Sequence, residues 1–336
     1  MICLGETMQL FAAPDGTPLA ATPAVNAYVG GAESNVASGL AHLGQSVEWF
    51  SRLGRDPFGE HIRRFLEDRG IDVGRVVIDE SRPTGVYFKD QARGQNEIYY
   101  YRAGSAASAM NGADVAGLQL GRRRLCHVSG ITAALSPACD GLLERILLER
   151  TSKQCPISFD VNYRARLWDA RVAAPRLLEL ARGADIVVVG RDEADVLWAT
   201  GAAAGVRELL PDVPQLIVKD AEHGATHFSE GGTVFVPAPS VEVVEPVGAG
   251  DAFAAGYLSG WLDGWDVERA LRLGHLMAAF TLQHVSDLPT LPPRSTIMEM
   301  SALSDTEWDR LSLPAASTLL TPERGDFPWE PTSMSS

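Results

Sequence analysis

The sequence predicts an α/β protein: a doubly wound, mostly parallel sheet with helices on both faces, plus a small second β-sheet. Three observations predict it. Short runs that are apolar throughout alternate with amphipathic stretches of helical period. Strands apolar on both sides belong to a parallel sheet covered on both faces. Two regions break the alternation and have strand-and-turn character instead.

In chain order, Met1-Ile2-Cys3-Leu4 opens as a short buried strand. Residues 11–30, with Pro14, Gly16, Pro18 and Pro23 scattered through them, are the first odd region. A helix over 33–43, a strand over 47–50 and a helix over 57–69 follow. Segments 85–90 and 97–102 form an antiparallel hairpin turning near Ala92-Arg93-Gly94-Gln95-Asn96. Strands over 125–128, 157–160, 186–189 and 216–218 then alternate with helices over 140–150 and 171–182. The odd regions, near 11–30 and 85–103, are expected to pair as a discontinuous lid on a main domain spanning 1–300. A helix over 305–311 begins a C-terminal extension, 301–336. Pro, Ser and Thr enrich it from Thr321, where mobility is expected.

The chain has 336 residues, 46% hydrophobic and 21% charged, enough to bury a full α/β core. Lysine plus arginine number 29 against 43 aspartate plus glutamate, a formal charge of −14. Such a surface repels phosphate backbones and anionic lipid, which argues against nucleic acid and membranes as partners. An anionic substrate must then be met by a few placed cations or by metal ions. Cys3, Cys126, Cys139 and Cys155 show no CxxC spacing, so reduced thiols in the cytoplasm are expected and a zinc site is not. No secretion signal and no spanning apolar run is legible. The histidines attract no role; His127, on an apolar strand end, reads as a satisfied core residue, with Ser129 and Gly130 beside it as alternative pocket residues.

The most informative run is Glu245-Pro246-Val247-Gly248-Ala249-Gly250-Asp251-Ala252-Phe253. Two glycines and an alanine leave the backbone bare where a helix starts. First-turn N–H groups have no partner within the helix, and the dipole adds partial positive charge, so an anion docks there. Asp251 beside that site suits one task, accepting a proton from an attacking hydroxyl. The same run also reads as a helix cap with glycines for tight packing.

Together with Gly30-Gly31-Ala32-Glu33-Ser34-Asn35, the run resembles the two signatures of the PfkB (ribokinase-like) carbohydrate kinases, in the family's order. The resemblance extends from Gly5 to about Asp287. It implies a ribokinase-like fold with a β-sheet lid. Gly248, Ala249 and Gly250 become the anion hole and Asp251 the catalytic base. It also implies ATP and Mg²⁺ as cofactors, often with a monovalent cation such as K⁺, and a possible homo-oligomer through the lid.

Within the family the chain is most similar to the 2-keto-3-deoxygluconate kinases, through Tyr28 to Glu33, Tyr99 to Ala106, His127 to Thr132 and Asp160 to Arg164. That similarity implies that Gly31, Asn35, Tyr87, Tyr100, Arg102, Arg164, Asp251 and Asp287 hold the sugar. It puts Asn162, Arg164, Glu193, Lys219, Gly224, Gly248 and Gly250 at the nucleotide. No protein metal-ligand set is legible beyond Glu193 in an indirect role. Independently of resemblance, Arg102 and Arg164 are both expected over the cleft, and a guanidinium fork matches a carboxylate with two parallel hydrogen bonds. Tyrosines can add a hydroxyl and a flat face there, or simply pack. An acid sugar is therefore expected, with a neutral sugar such as fructose or ribose as the alternative.

Three positions depart from the pattern. The loop usually reading Lys-Arg-Gly or Lys-Gly-Gly, then two residues and Gly, is Lys219-Asp220-Ala221-Glu222-His223-Gly224 here; the usual Asn-x-x-Glu is Gly190-Arg191-Asp192-Glu193; and Glu245 replaces a common aspartate. The first would weaken ATP binding and is the feature that favours a non-catalytic sugar-binding sensor; Asp251 argues against it.

Overall fold

The computed structural model describes residues 1–14, 17–90, 97–150, 154–284 and 288–313. The strands in chain order are β1 (Ile2–Leu4), β2 (Met8–Ala12), β3 (Asn26–Gly30), β4 (Glu48–Phe50), β5 (Arg52–Gly54), β6 (Val77–Asp79), β7 (Val86–Asp90) and β8 (Glu97–Tyr101). They continue as β9 (Cys126–Ser129), β10 (Ile157–Asp160), β11 (Ile186–Gly190), β12 (Gln215–Asp220), β13 (Gly224–Ser229) and β14 (Gly232–Val236). The helices are α1 (Ala32–His42), α2 (Pro57–Glu67), a short α3 (Asp114–Gly117), α4 (Gly130–Leu135), α5 (Pro137–Leu147), α6 (Ala170–Arg182), α7 (Arg191–Trp198), α8 (Ala203–Leu209), α9 (Ala249–Leu262), α10 (Val267–Leu282), α11 (Arg294–Met300) and a short α12 (Asp305–Trp308).

The main sheet has eight strands in the order β14-β13-β12-β11-β10-β9-β1-β4. Six are parallel, and β13 and β14 extend one edge antiparallel. Its strands are apolar on both sides because each side meets a different core. In β11, Ile186 and Val188 face the cluster built with α1, α9 and α10, while Val187 and Val189 face the one built with α5, α6 and α7. Side chains alternate with a period of two, so neighbouring residues in one strand seal opposite layers. The sequence reading missed the β13–β14 hairpin, whose short strands carry polar residues and are bounded by Gly224 and Gly232 rather than by an apolar run.

The small sheet runs β3-β2-β7-β8, with β2 parallel to β7 and the other pairs antiparallel. It begins at Met8, earlier than the expected start at 11. Leu10, Tyr87 and Tyr100 stand opposite one another across β2, β7 and β8 and so share one face. Phe11, Phe88 and Tyr101 occupy the other face, where Phe11 stacks on Phe88 at 5.2 Å.

The boundary expected at 300 is not a break in packing. Trp308 is buried and donates its indole N–H to Pro237 O at 3.0 Å, and Leu313 joins the α9–α10 core. The expected turn at 92–96 and the tail beyond 321 lie outside the described residues. Among the described residues no helix is long and apolar enough to cross a membrane. All four cysteines are buried and unpaired.

Candidate active site

The carboxyl ends of β10, β11 and β12 converge on the first turn of α9. Gly248 caps that helix at φ +88°, a left-handed conformation that side chains resist, which explains glycine there. Gly250 answers a different need. A Cβ on it would stand 3.2 Å from Lys219 Nζ, so the bare backbone lets a cation approach the helix start.

Asp251 lies in this first turn and is 8% exposed. Asn35 Nδ2, from α1, donates to its Oδ2 at 2.9 Å, and Asn162 Nδ2, from the loop after β10, donates to its Oδ1 at 3.2 Å. The carboxylate is thus aimed by two amides from separate elements. Burial pushes it from an ordinary 3.8 up to about 7. The Asn35 hydrogen bond, Arg164 and Lys219 oppose that rise, and Asp160 adds to it. A base with this affinity for protons is matched to work near neutrality.

Lys219, one residue before the end of β12, is 3.2 Å from Asp160 Oδ2. Burial alone would lower its ammonium, and the surrounding Asp160, Glu193 and Asp251 more than offset that. Glu193 accepts the N–H of Gly190 at 3.0 Å and lies 3.6 Å from Arg164 Nη1. Burial raises its carboxyl, against the pull of Lys219.

Two cavities meet at this point. One, of about 450 Å³, is lined by Tyr100, Arg102, Asn162, Arg164 and Arg166, with Gly248 and Asp251 among its walls. The other, of about 960 Å³, runs past Gly190, Arg191, Asp220 and Gly224 to Phe253, His275 and Leu282. Glu193, Lys219, Pro246 and Gly250 line both. A group bound in the first cavity therefore faces a group bound in the second across the amide-rich start of α9.

Several expected residues take different positions. Asn162, expected at the nucleotide, and Arg164, expected at both sugar and nucleotide, line the smaller cavity, and Asn162 spends its amide on Asp251. Asn162 sits at φ +39°, which asparagine tolerates better than most side chains. Arg102 reaches the cavity but is ion-paired with Glu6, which also accepts Ser105 Oγ at 2.5 Å. Its Nε–H is buried without a hydrogen-bond partner. Tyr87 is buried in the small sheet, its ring 5.6 Å from that of Tyr100, and does not reach the cavity wall as Tyr100 does. Gly31 acts by close approach, since a Cβ there would stand 2.3 Å from Glu6 O. Gly224 does the same against Val236 O, at 2.3 Å and φ +139°. Asp287 lies outside the described residues. Ser129 is spent on Glu33 at 2.7 Å, and His127 is a core residue paired with Ser158 at 3.1 Å. Burial lowers His127 to about 4.

The sequence reading missed Arg166, which lines the cavity and bonds to Ile98 O, and Glu6, the partner of Arg102. Arg166 follows Arg164 by two residues in the same loop, a signal that was available. Nothing local marks Glu6.

The pattern of the pfkB family carbohydrate kinases matches residues 1–293. The chain belongs to that family. It is 33% identical to a 2-dehydro-3-deoxygluconokinase of Bacillus subtilis (strain 168), over 88% of this chain and 93% of that one. A 2-dehydro-3-deoxygluconokinase of Thermoproteus tenax is likewise 33% identical, over 90% and 94%. A crystal structure of a PfkB protein from Polaromonas sp. JS666 superposes with a TM-score of 0.80 at 33% identity, covering 90% of this kinase and 99% of that chain.

Proposed function

We propose that this kinase phosphorylates the primary hydroxyl of 2-keto-3-deoxygluconate, an acid sugar, to the 6-phosphate at the expense of ATP. One observation carries the reading: Asp251 lies in a cavity walled by Arg102, Arg164 and Arg166, where that cavity meets a larger one. A guanidinium fork in this wall pairs with the sugar carboxylate, and Tyr100 lies along the sugar. The two relatives named above support the same substrate.

In this mechanism Asn35 and Asn162 hold Asp251 toward the acceptor. Asp251 takes the hydroxyl proton as the hydroxyl oxygen bonds to the γ-phosphorus and the bond to the β–γ bridging oxygen breaks. The amides of the first α9 turn face the charge that develops on the transferred group. Losing one such donor costs on the order of 3 kcal/mol of barrier. Lys219 sits at the junction as a fixed cation. Magnesium bound with the nucleotide would neutralise phosphate charge, and Glu193, which lines both cavities, would act on it indirectly, through its water shell. The small sheet acts as a lid that excludes water. The buried Glu245, three residues before Gly248, would serve a monovalent cation such as K⁺.

The exposed aromatic edge at Tyr99 and Tyr101 supports a homo-oligomer formed through the lid. The charge of −14 and four buried thiols support a cytoplasmic enzyme without nucleic-acid or membrane partners. A neutral-sugar kinase is favoured by one feature, the Glu6 partner that already occupies Arg102. Coupled ADP release across sugar acids of both epimers and neutral sugars separates the two. Turnover confined to fructose or ribose would refute the acid-sugar assignment.

A further inference from the structure

The larger cavity is poor in cations. Among the described residues on its wall, Arg191 and Lys219 face Asp192, Glu193, Asp220 and Glu222. Lys219 is already held by Asp160 beneath Gly250. Arg191 is the first residue of α7, directly after β11, and Asp220 ends the neighbouring strand β12. Its Nε donates to Asp220 Oδ1 at 2.6 Å, and Nη2 lies 3.1 Å from Asp192 Oδ1. Arg191 and Asp220 are each about a third exposed, 32% and 31%, so water competes for both.

Asp220 is one of this chain's departures from its family's pattern, and Arg191 stands at an unconstrained position of the Asn-x-x-Glu motif, beside the Gly190 that replaces the asparagine. Position 220 carries an acid where the pattern carries arginine or glycine, and the guanidinium of Arg191 reaches that acid. A phosphate offers more charge than a carboxylate and the same bidentate geometry, so it outcompetes an exposed aspartate for that fork. His223 Nδ1 lies 3.5 Å from the same Asp220 oxygen.

We propose that Arg191 is a phosphate-binding residue of the nucleotide site, held on Asp220 until a polyphosphate arrives and transferred to it on binding. The inference rests on the reading that the larger cavity takes nucleotide. Asp220 then opposes binding twice: it competes for the guanidinium, and it leaves an anion beside the phosphates.

The decisive measurement is calorimetric binding of MgADP without sugar, at low salt. Arg191→Gln should weaken MgADP about tenfold, and Asp220→Asn should tighten it severalfold, with both effects shrinking as KCl is raised. Steady-state KM for ATP should move with them while the sugar KM stays. A pair that merely ties α7 to β12 predicts that both variants weaken binding and that the double variant is no worse than either. That result, or unchanged binding in either single variant, overturns the proposal. If Arg191→Gln does not fold, Arg191→Lys, which keeps charge but loses the fork, must weaken binding while Asp220→Asn tightens it. Wild-type protein that binds no MgADP overturns the inference outright. Wild type that binds MgADP yet phosphorylates no sugar overturns only the kinase reading.

Discussion

The two cavities that meet at Gly250 are built with opposite charge. Around the smaller one, Arg102, Arg164, Arg166 and Lys219 outnumber Glu193 and Asp251. Around the larger one, four carboxylates outnumber Arg191 and Lys219. The difference teaches where each anion's counter-charge comes from. In the proposed reading, a single carboxylate on a sugar is matched by the protein's own guanidinium forks. A polyphosphate brings several charges and its own metal, so the protein supplies amides and few cations. Asp251, the proposed base, stands at the border of the two regions and accepts hydrogen bonds from two side-chain amides.

The largest expected effect tests that border. Asp251→Asn should lower kcat by about 10²-fold or more, measured by ADP release. The same variant should be more stable than wild type at high pH. The folded-state carboxyl is raised to about 7 from 3.8. Its contribution to stability is therefore fully present below about pH 4, and is lost as pH rises to about 7. The gain in Tm for the variant should grow across that window and flatten above it. A gain that is constant with pH would show that burial does not perturb Asp251. By the same logic the activity of wild type should rise with pH through about 7, since the base must be ionised.

The cation-rich side is tested next. Arg164→Ala should raise KM for the acid sugar by about tenfold or more, given charge-assisted bonds of 1.5–3 kcal/mol each, and leave neutral sugars unaffected. Arg102→Ala is a less direct probe, because it leaves Glu6 buried without its partner. The double variant Glu6→Gln/Arg102→Ala removes both charges. If its acid-sugar KM equals that of wild type, Arg102 serves folding rather than recognition.

The smallest expected effect lies on the acid-rich side. Ala221 adopts φ +42° in the β12–β13 turn, a conformation that costs a non-glycine residue about 1 kcal/mol. Ala221→Gly should recover about that much in a denaturation midpoint, and a loss of stability would show that the turn is not strained.

Much of the fold is legible in the linear order because burial on both faces leaves a mark: a wholly apolar strand such as β11 between amphipathic helices needs no partner to be recognised. The site is legible where its requirement is local. Gly248 answers a left-handed φ, and Asp251 follows from standing in the first turn after it. The β13–β14 hairpin escaped because edge strands are partly polar.

What the sequence determined by itself was the parallel sheet, the bare glycine-rich helix start, and the carboxylate beside it, since each depends on residues adjacent in the chain. Only the tertiary structure decided that Asn35 and Asn162 aim Asp251, that Glu6 holds Arg102, and that Arg191 reaches Asp220. Those pairings join residues from 29 to 216 positions apart. Their partners are chosen by where strand ends converge, a property of the folded sheet that no local pattern encodes.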